Sequence, residues 1–323
     1  MNSLKYLSNL GLDYIAEKQA LGNKYQKNGQ MMRRFLQLAQ QNGYEGPVLE
    51  RELVEQWCAK TAYETENNHQ QRIGFIRGFA QYLTRLGYPA YIYERKSSVI
   101  SYNYQPHIFT NRELAKLFRA AEALPDTKRY PFKSTQICLI LKTLYSTGMR
   151  SSELAHLRKV DVNLTSGVLF ISEAKFHKER YIPLNPTLHR KFREYTNYMC
   201  GFRCWNDSEY FFVNSAGKCH KDIYHPFRET LKLAGISHGG RGYGPRMHDL
   251  RHTFAVHCLR NWVRDGKDLT NALPYLAVYM GHSGIRSTQY YLRLTSELYP
   301  DITQTLDADY GWMVPEVGTY EDD

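Results

Sequence analysis

The sequence predicts a two-domain protein of the mainly α class (α+β), with one small antiparallel β-sheet in its second domain. Apolar residues recur at helical spacing over most of the 323 residues. Two short segments, VLFIS (168–172) and RYIPL (180–184), flank the polar stretch AKFHKE, which is typical of a β-hairpin. The helical pattern lapses over residues 94–107, a polar and basic stretch of the kind that links domains.

Four apolar stripes predict four helices in the first domain, residues 1–94. The second helix is predicted to end near Gly43 and the fourth at Gly87, because glycine readily adopts the left-handed backbone that ends a helix. The stripes are predicted to form the core, and they consist of Leu4, Leu7, Leu10 and Tyr14; Met31, Met32, Phe35, Leu36 and Leu38; Leu53, Val54 and Trp57; and Ile73, Phe75, Ile76, Phe79 and Leu83.

The second domain is predicted to cover residues 108–306, after a linker over 95–107 and before an acidic tail over 307–323. Thr110 is predicted to cap its first helix, with Glu113 three residues later completing a capping box. The long apolar helix TQICLILKTLYSTG is predicted to end at Gly148.

The net charge of +10 is unevenly distributed. The tail contains six acidic residues and no basic residue, so the rest of the chain carries +16. This strong positive charge favours a polyanionic partner, although a basic surface that only confers solubility is the alternative. The basic residues between the stripes of the first domain are candidates for phosphate contacts or form an ordinary solvated face: Lys24, Lys27, Arg33, Arg34, Arg72, Arg77 and Arg85.

The sequence indicates a cytoplasmic protein without a membrane segment. It opens with an amphipathic stretch rather than a signal peptide, and no apolar run approaches the roughly 20 residues needed to span a bilayer. Its six cysteines are therefore expected to be free and mostly buried. A zinc site formed by Cys200, Cys204, Cys219 and His220 is the alternative, although the spacing matches no compact zinc motif.

Four short motifs could carry chemistry. In TGMRSSEL, Arg150 directly follows a glycine turn, and Glu153 is close enough along the chain to fix its guanidinium. In the hairpin AKFHKER, Lys175 or Lys178 could reach a ligand as a flexible ammonium group, or be idle in solvent. Each motif alone is as compatible with an ordinary structural role.

The other two motifs supply histidine, arginine and tyrosine. In HDLRHTFA, His248 and Arg251 are three residues apart and share a helix face. In GHSGIRSTQYY, His282 follows a helix-ending glycine, and Tyr290 or Tyr291 could return to the same pocket from the next helix.

The order and local sequence of these four motifs resemble the successive catalytic boxes of the tyrosine recombinases, the phage integrase family, over roughly residues 108–295. The resemblance implies a two-domain clamp around duplex DNA, with residues 1–94 as the core-binding domain and 108–306 as the catalytic domain. It implies a homotetramer acting on DNA with specific recombination sites, without a cofactor. Accessory recombinases or directionality factors and nucleoid association in the cytoplasm are further expectations.

The resemblance also assigns roles by position. Arg150 and Arg251 match the two catalytic arginines, and Glu153 matches the supporting acid. The hairpin lysine is Lys175, with Lys178 as a further DNA contact. The two histidines are His248 and His282, and Tyr291, nine residues after His282, matches the nucleophile.

One segment departs from the family pattern. The stretch between HDLRHTFA and Gly281 is longer than the compact version, and the extra length lies around Trp262 to Pro274, as a loop or an extended helix. It indicates a subgroup, for which a transposon or other mobile element is the expected origin.

The residue types suit attack on a phosphodiester. Arginine forks match phosphate oxygens bidentately, and a tyrosyl ester conserves the bond energy, so that a strand can be rejoined without ATP. The sequence contains no GxxxxGK[ST] motif. A type IB topoisomerase and a non-catalytic DNA-binding regulator are the alternatives.

Overall fold

The structure is a computed structural model that describes residues 3–22, 25–44, 48–94, 105–172, 179–240, 244–282, 284 and 286–299. The chain divides into two compact units, Met1–Tyr102 and Asn103–Asp323. Within the described residues, no helix is both long and apolar enough to traverse a lipid bilayer.

The first unit is helical. Thr65 caps its last helix by accepting a hydrogen bond from the backbone N–H of Asn68 at 3.3 Å. Gly43 and Gly87 lie just beyond two helix ends with φ of +63° and +86°, as predicted. The helices are α1 (Ser3–Ala20), α2 (Gln26–Gln41), α3 (Arg51–Cys58) and α4 (Glu66–Arg85).

Aromatic side chains fill the core of the first unit. Tyr14, Phe35 and Phe79 are fully buried. The Phe35 ring meets Trp57 edge-on, with 5.4 Å between ring centroids. Such edge-to-face contacts are favoured by the ring quadrupoles and add to the free energy gained by burial. The side chains of the predicted stripes that the structure describes are buried or pack against this core.

The second unit combines helices with one small sheet. Thr110 and Glu113 form the predicted capping box at the start of its first helix. The elements are α5 (Asn111–Glu122), α6 (Lys133–Thr147), α7 (Ser151–Ala155), a 3₁₀ turn (Lys159–Asp161), β1 (Val162–Asn163), β2 (Val168–Ile171), β3 (Arg180–Pro183), α8 (Pro186–Met199), α9 (Arg203–Asn206), α10 (Tyr224–Leu233), α11 (Asp249–Arg264), α12 (Leu269–Met280) and α13 (Arg286–Leu298).

The three strands form an antiparallel sheet in the order β1–β2–β3. In the hairpin of β2 and β3, Leu169 lies opposite Ile182, and Ile171 lies opposite Arg180. Leu169, Ile171 and Ile182 are buried, which places one face of the sheet on the core. The predicted hairpin is therefore confirmed, and its register brings the buried Arg180 to the start of β3.

Helix α6 lies at the centre of the second unit, in contact with α5, α8 and α11. Its buried Gln136 donates to the carbonyl of Val213 at 2.8 Å and accepts from the hydroxyl of Tyr195 at 2.6 Å. A buried amide whose hydrogen bonds are satisfied adds specificity to an otherwise apolar core.

The segment from Trp262 to Pro274 is helical at both ends. Trp262 lies in the last turn of α11, and Gly266 forms the turn that follows with a φ of +65°. Asp268 then caps α12 by accepting from the backbone N–H of Thr270 at 2.8 Å, and Pro274 lies inside that helix.

The cysteines are free, but fewer are buried than we expected. Cys58 and Cys138 are buried, whereas Cys200 is exposed and the others are partly exposed. Cys200 caps the end of α8 and lies outside the buried stripe of that helix, which consists of Leu188, Phe192, Tyr195 and Met199, and this explains its exposure. Among the described residues, no three His, Cys, Asp or Glu side chains are arranged to hold a metal ion.

Candidate active site

The first arginine motif is built on the end of α6. Gly148 ends that helix with a left-handed φ of +60°, as predicted. Arg150 follows in an extended conformation (φ −72°, ψ 144°) and immediately precedes α7. The glycine turn thus ends α6 and places Arg150 at the junction between two helices.

Glu153 fixes Arg150 in the manner that the spacing predicts. Its carboxylate accepts from the Arg150 backbone N–H at 2.9 Å and from Arg150 Nη1 at 3.2 Å. The Glu153 side chain is only 2% exposed. A buried carboxylate requires strong partners, and these two bonds supply part of its requirement.

Arg180 supplies the remainder. Its Nη1 and Nη2 atoms donate to the two oxygens of Glu153 at 3.1 Å and 2.7 Å. Burial acts to raise the pKa of Glu153, but the hydrogen bonds and charge of Arg180, together with Arg150, hold the pKa below its ordinary value. Glu153 is therefore an ionised carboxylate shared by two arginines.

The C-terminal end of α12 is the point at which three arginines meet. The carbonyl of Tyr279 accepts from Arg180 Nε at 2.9 Å, and the carbonyl of Met280 accepts from Arg251 Nη2 at 2.9 Å. The carbonyl of Gly281 accepts from Arg150 Nη2 at 3.0 Å. Helix C-termini leave carbonyls without helical partners and carry a partial negative charge, so guanidinium groups are well suited to this position.

Arg251 also contacts the Gly148 turn. Its Nη1 atom donates to the carbonyl of Gly148 at 2.6 Å, and the residue is 3% exposed. Burial is the main reason why its pKa falls to about 10, with the charge of Arg150 acting in the same direction. Arg251 remains positively charged at neutral pH.

His248 lies at the N-terminal end of α11, where it is exposed, and one turn later His252 is buried. Their ring centroids are 4.7 Å apart. Burial is the main reason why the pKa of His252 falls to about 2, and the neighbouring His248, Arg251 and His282 act in the same direction. His252 is therefore a neutral ring within the cluster.

His282 directly follows the Gly281 turn and is buried. Its Nδ1 atom forms a 2.7 Å hydrogen bond with Oγ1 of Thr288 on α13. The Tyr291 ring stacks on the His282 ring, with centroids 6.0 Å apart and an interplanar angle of 19°. Thr288 and Tyr291 lie on the same helix, so α13 positions both of these partners of His282.

Tyr291 is 1% exposed and lies between histidine rings, 5.5 Å from the centroid of His252. Tyr290 is also buried, and its ring centroid is 5.9 Å from that of Tyr291. Tyr291 contacts the rings of both His252 and His282.

The structure thus brings the predicted residues of three motifs into one cluster: Arg150, Glu153, His248, Arg251, His282 and Tyr291. Lys175 and Lys178 lie outside the described residues. The shared cluster is a geometric finding, and the roles of these residues remain predictions.

Two members of the cluster were not singled out from sequence. Arg180 belongs to the KER triplet, which served only to locate Lys175, and His252 was read as part of HDLRHTFA without a role. The faint sequence signal for Arg180 was its position two residues before the apolar Ile182 of β3, which places both side chains on one face of the strand.

The basic candidates of the first unit fall into two groups. Lys27, Arg33 and Arg34 are exposed. Arg72 and Arg77 are half-buried, whereas the sequence predicted a face that is either solvated or in contact with phosphate. Arg72 pairs with Glu64 and packs over the Trp57 ring, and Arg77 donates to the carbonyl of Tyr93, because long basic side chains bury their stems against apolar surface. Lys24 lies outside the described residues.

Sequence comparison identifies relatives over most of the chain. The sequence model of the phage integrase family matches residues 108–297. A Sinorhizobium fredii protein named as integrase/recombinase y4rB is 26% identical over 307 residues, covering 91% of this chain and 95% of the relative. The tyrosine recombinase XerC of Staphylococcus saprophyticus is 31% identical over 201 residues, covering 60% of each protein.

Solved structures share the fold. The Tn1549 transposon integrase, determined in complex with a circular intermediate DNA, superimposes with a TM-score of 0.60 at 17% identity, covering 88% of this chain and 94% of that one. XerH recombinase bound to its difH substrate gives a TM-score of 0.56 at 20% identity, covering 75% and 66%. Because the family model matches more than half of the chain, this protein belongs to the phage integrase family and is a tyrosine-type site-specific recombinase.

Proposed function

We propose that the chain cleaves and rejoins DNA at specific sites, with Tyr291 as the nucleophile. The observation that carries the proposal is the attachment of Arg150 and Arg251 to adjacent carbonyls at the end of α12, next to His282 and the Tyr291 ring. This arrangement concentrates hydrogen-bond donors around a phenol.

The arginine cluster supplies the charge that a phosphate requires. Glu153 pairs with Arg150 and Arg180, and Arg251 binds backbone carbonyls beside them, so these four side chains have an excess of positive charge. Each guanidinium has five N–H donors, and Arg251 uses two of them on Gly148 and Met280. The remaining donors of Arg150 and Arg251 would bind the non-bridging oxygens, which gain negative charge in the transition state.

In the proposed cleavage step, the phenolic oxygen of Tyr291 attacks the phosphorus and the bond to the 5′-oxygen breaks. The phenol proton passes to His248, and the leaving 5′-oxygen takes a proton from Lys175. The product is a 3′-phosphotyrosine ester and a free 5′-hydroxyl. Attack by a 5′-hydroxyl on that ester reverses the chemistry and joins the strand without ATP.

Tyr291 must become accessible before it reacts, because a side chain that is 1% exposed cannot contact a phosphate. DNA binding is the event that we propose opens the cluster. DNA would drive this change by binding the open arrangement more tightly than the closed one, as any ligand does that selects one conformation. Cleavage would then occur only on assembled DNA.

Duplex DNA with recombination sites is the proposed partner, and a homotetramer the proposed assembly. The net charge of +10 and the exposed Lys27, Arg33 and Arg34 support a polyanionic ligand. XerH is described with its palindromic difH substrate, and λ integrase as a dimer on a core site. These relatives support DNA binding by more than one copy.

A trapped covalent complex tests the proposal. The protein first selects duplexes from a random-sequence pool, and these duplexes are then prepared with a nick near the centre of the bound site. Cleavage next to the nick releases a short fragment that carries the 5′-hydroxyl. Because this fragment diffuses away, the strand cannot be rejoined. We expect a denaturant-stable adduct through a DNA 3′-phosphate. A protein that binds these duplexes tightly but forms no adduct on any of them would be a DNA-binding regulator instead. Sequence-independent relaxation of plasmids by a monomer would indicate a topoisomerase.

A further inference from the structure

Arg180 is a buried residue with three specific hydrogen bonds, and the proposed cleavage step gives it no contact with the reacting phosphate. Its side chain is 6% exposed and belongs to β3, whereas its partners lie on α7 and at the end of α12. Within the second unit, one side chain therefore connects three elements that are distant in sequence.

The first connection controls the orientation of Glu153. Each Glu153 oxygen accepts one hydrogen bond from Arg180 and one from Arg150. Oε1 accepts from the Nη1 atoms of both arginines. Oε2 accepts from Arg180 Nη2 and from the Arg150 backbone N–H. The planar fork of Arg180 fixes the carboxylate in one rotation because both bonds form at once. Without the fork, Glu153 could rotate and release Arg150 Nη1.

The second connection controls the end of α12. Arg180 Nε holds the carbonyl of Tyr279, one residue before the Met280 carbonyl that binds Arg251 and two before the Gly281 carbonyl that binds Arg150. The packing there is tight, since a Cβ atom on Gly281 would lie 2.9 Å from Arg180 Nη1. Any shift of Arg180 would therefore move both arginine contacts.

The third connection follows from chain order. Only Glu179 separates Arg180 from the segment 173–178, which contains Lys175. By holding the first residue of β3 against Glu153, Arg180 fixes the point at which the chain returns from that segment.

We propose that Arg180 is a positioning residue for strand cleavage, which sets the orientation of the Arg150 guanidinium through Glu153 and through the end of α12. It does not contact DNA in this account. The inference rests on the proposed function, because positioning has meaning only if Arg150 binds the reacting phosphate.

Single-turnover cleavage of a nicked duplex, selected by the parent protein from a random-sequence pool, tests this role. The variants are Arg180→Gln, which removes the positive charge, and Arg180→Lys, which keeps it. The lysine leaves a positive charge beside the buried Glu153 carboxylate. The matched control is Arg158→Gln, which breaks another arginine pair with a largely buried carboxylate, Asp161, in the same unit. Dissociation constants for the duplex and thermal unfolding are measured for every variant.

We expect both Arg180 variants to slow cleavage by about 10²-fold, a typical effect of disturbing one transition-state donor. Duplex affinity should be nearly unchanged for Arg180→Lys, and Arg158→Gln should cleave like the parent. Combining Arg180→Lys with Arg150→Lys should slow cleavage little more than Arg150→Lys alone. Independent effects would instead multiply within about a factor of two.

Three outcomes would overturn the inference. The first is cleavage by Arg180→Lys at the parental rate, and the second is a decrease in cleavage rate that parallels decreases in melting temperature and DNA affinity. The third is a double variant whose rate decrease equals the product of the decreases for Arg180→Lys and Arg150→Lys. These outcomes are distinct from failure of the proposed function, in which the parent itself would form no adduct.

Discussion

Arg150 and Arg251 donate hydrogen bonds to the carbonyls of adjacent residues, Gly281 and Met280, at the end of α12. Arg251 also binds the carbonyl of Gly148, two residues before Arg150. Both arginines are thus anchored at the end of α12, and Arg251 is also anchored at the turn that precedes Arg150. This attachment preorganises the donors, so that little reorganisation is required when charge develops on a bound phosphate.

Substitution of Arg251 by lysine tests whether the fork, and not only the charge, is required. A lysine ammonium is a single point donor and cannot hold the Gly148 and Met280 carbonyls in the same planar geometry. We expect Arg251→Lys to slow single-turnover cleavage by about 10²-fold or more, with little loss of DNA affinity. Parental cleavage by this variant would show that positive charge alone suffices.

The Gly148 turn is predicted to tolerate no side chain. A Cβ atom there would lie 2.3 Å from Cδ1 of Phe254, and the φ of +60° disfavours other residues. We expect Gly148→Ala to cost roughly 2–4 kcal/mol in the free energy of unfolding, from backbone strain and overpacking together.

Gly266→Ala is the matched control for that substitution, because Gly266 has a similar φ of +65° and nothing within 4 Å of the added Cβ. It should cost only about 1 kcal/mol, from the left-handed backbone alone. Urea unfolding measures both values. Equal losses for the two variants would mean that contact with Phe254 is unimportant.

The hydrogen bond between Thr288 and His282 is predicted to orient the imidazole for catalysis. Thr288→Val keeps the volume of the side chain but removes the 2.7 Å bond to Nδ1. Since such a bond contributes about 1–1.5 kcal/mol, cleavage should slow roughly tenfold.

Thr295→Val provides the comparison on the same helix, because the buried Thr295 hydroxyl donates only to the backbone carbonyl of Tyr291, also at 2.7 Å. Its cleavage rate should stay close to that of the parent. A similar decrease in both variants would assign the effect to α13 as a whole.

His220 is predicted to make the stability of the protein depend on pH. It is 4% exposed, its ring nitrogens make no hydrogen bond within the described part of the chain, and burial lowers its pKa from 6.5 to about 4. Below pH 6.5 the unfolded chain therefore binds a proton that the folded protein does not. The folded state loses stability as the pH falls from 6.5 toward 4.

Urea unfolding of the parent and of His220→Phe, at pH 7.5 and pH 5, measures this effect. The variant should gain about 2 kcal/mol relative to the parent at the lower pH, since each pH unit below 6.5 corresponds to about 1.4 kcal/mol. An unchanged difference between the two proteins at both pH values would contradict the buried, neutral state of His220.

Short sequence motifs were sufficient to predict those members of the active-site cluster whose contacts lie close together along the chain. Gly148 before Arg150, and Glu153 one helical turn later, are short-range relationships that backbone geometry determines. The positions of His282 and Tyr291 followed from their order along the chain and from resemblance to a family.

Arg180 could not be predicted as a member in the same way. Its partner Glu153 is 27 residues away in sequence. The sequence alone does not show whether an arginine is buried or exposed. The packing of Arg72 on Trp57 was equally hidden, because it depends on the tertiary contact of α3 with α4. Long-range pairing of charged side chains is the part of this fold that local sequence did not encode.

Peptide mapping of the covalent DNA adduct tests the central claim most directly. Tyr290→Phe and Tyr291→Phe form a matched pair, because the two phenols are adjacent, both buried and 5.9 Å apart between ring centroids. We predict a phosphodeoxynucleotide on Tyr291 in the parent and in Tyr290→Phe, and no adduct in Tyr291→Phe. An adduct on Tyr290, or one that persists in Tyr291→Phe, would contradict the account.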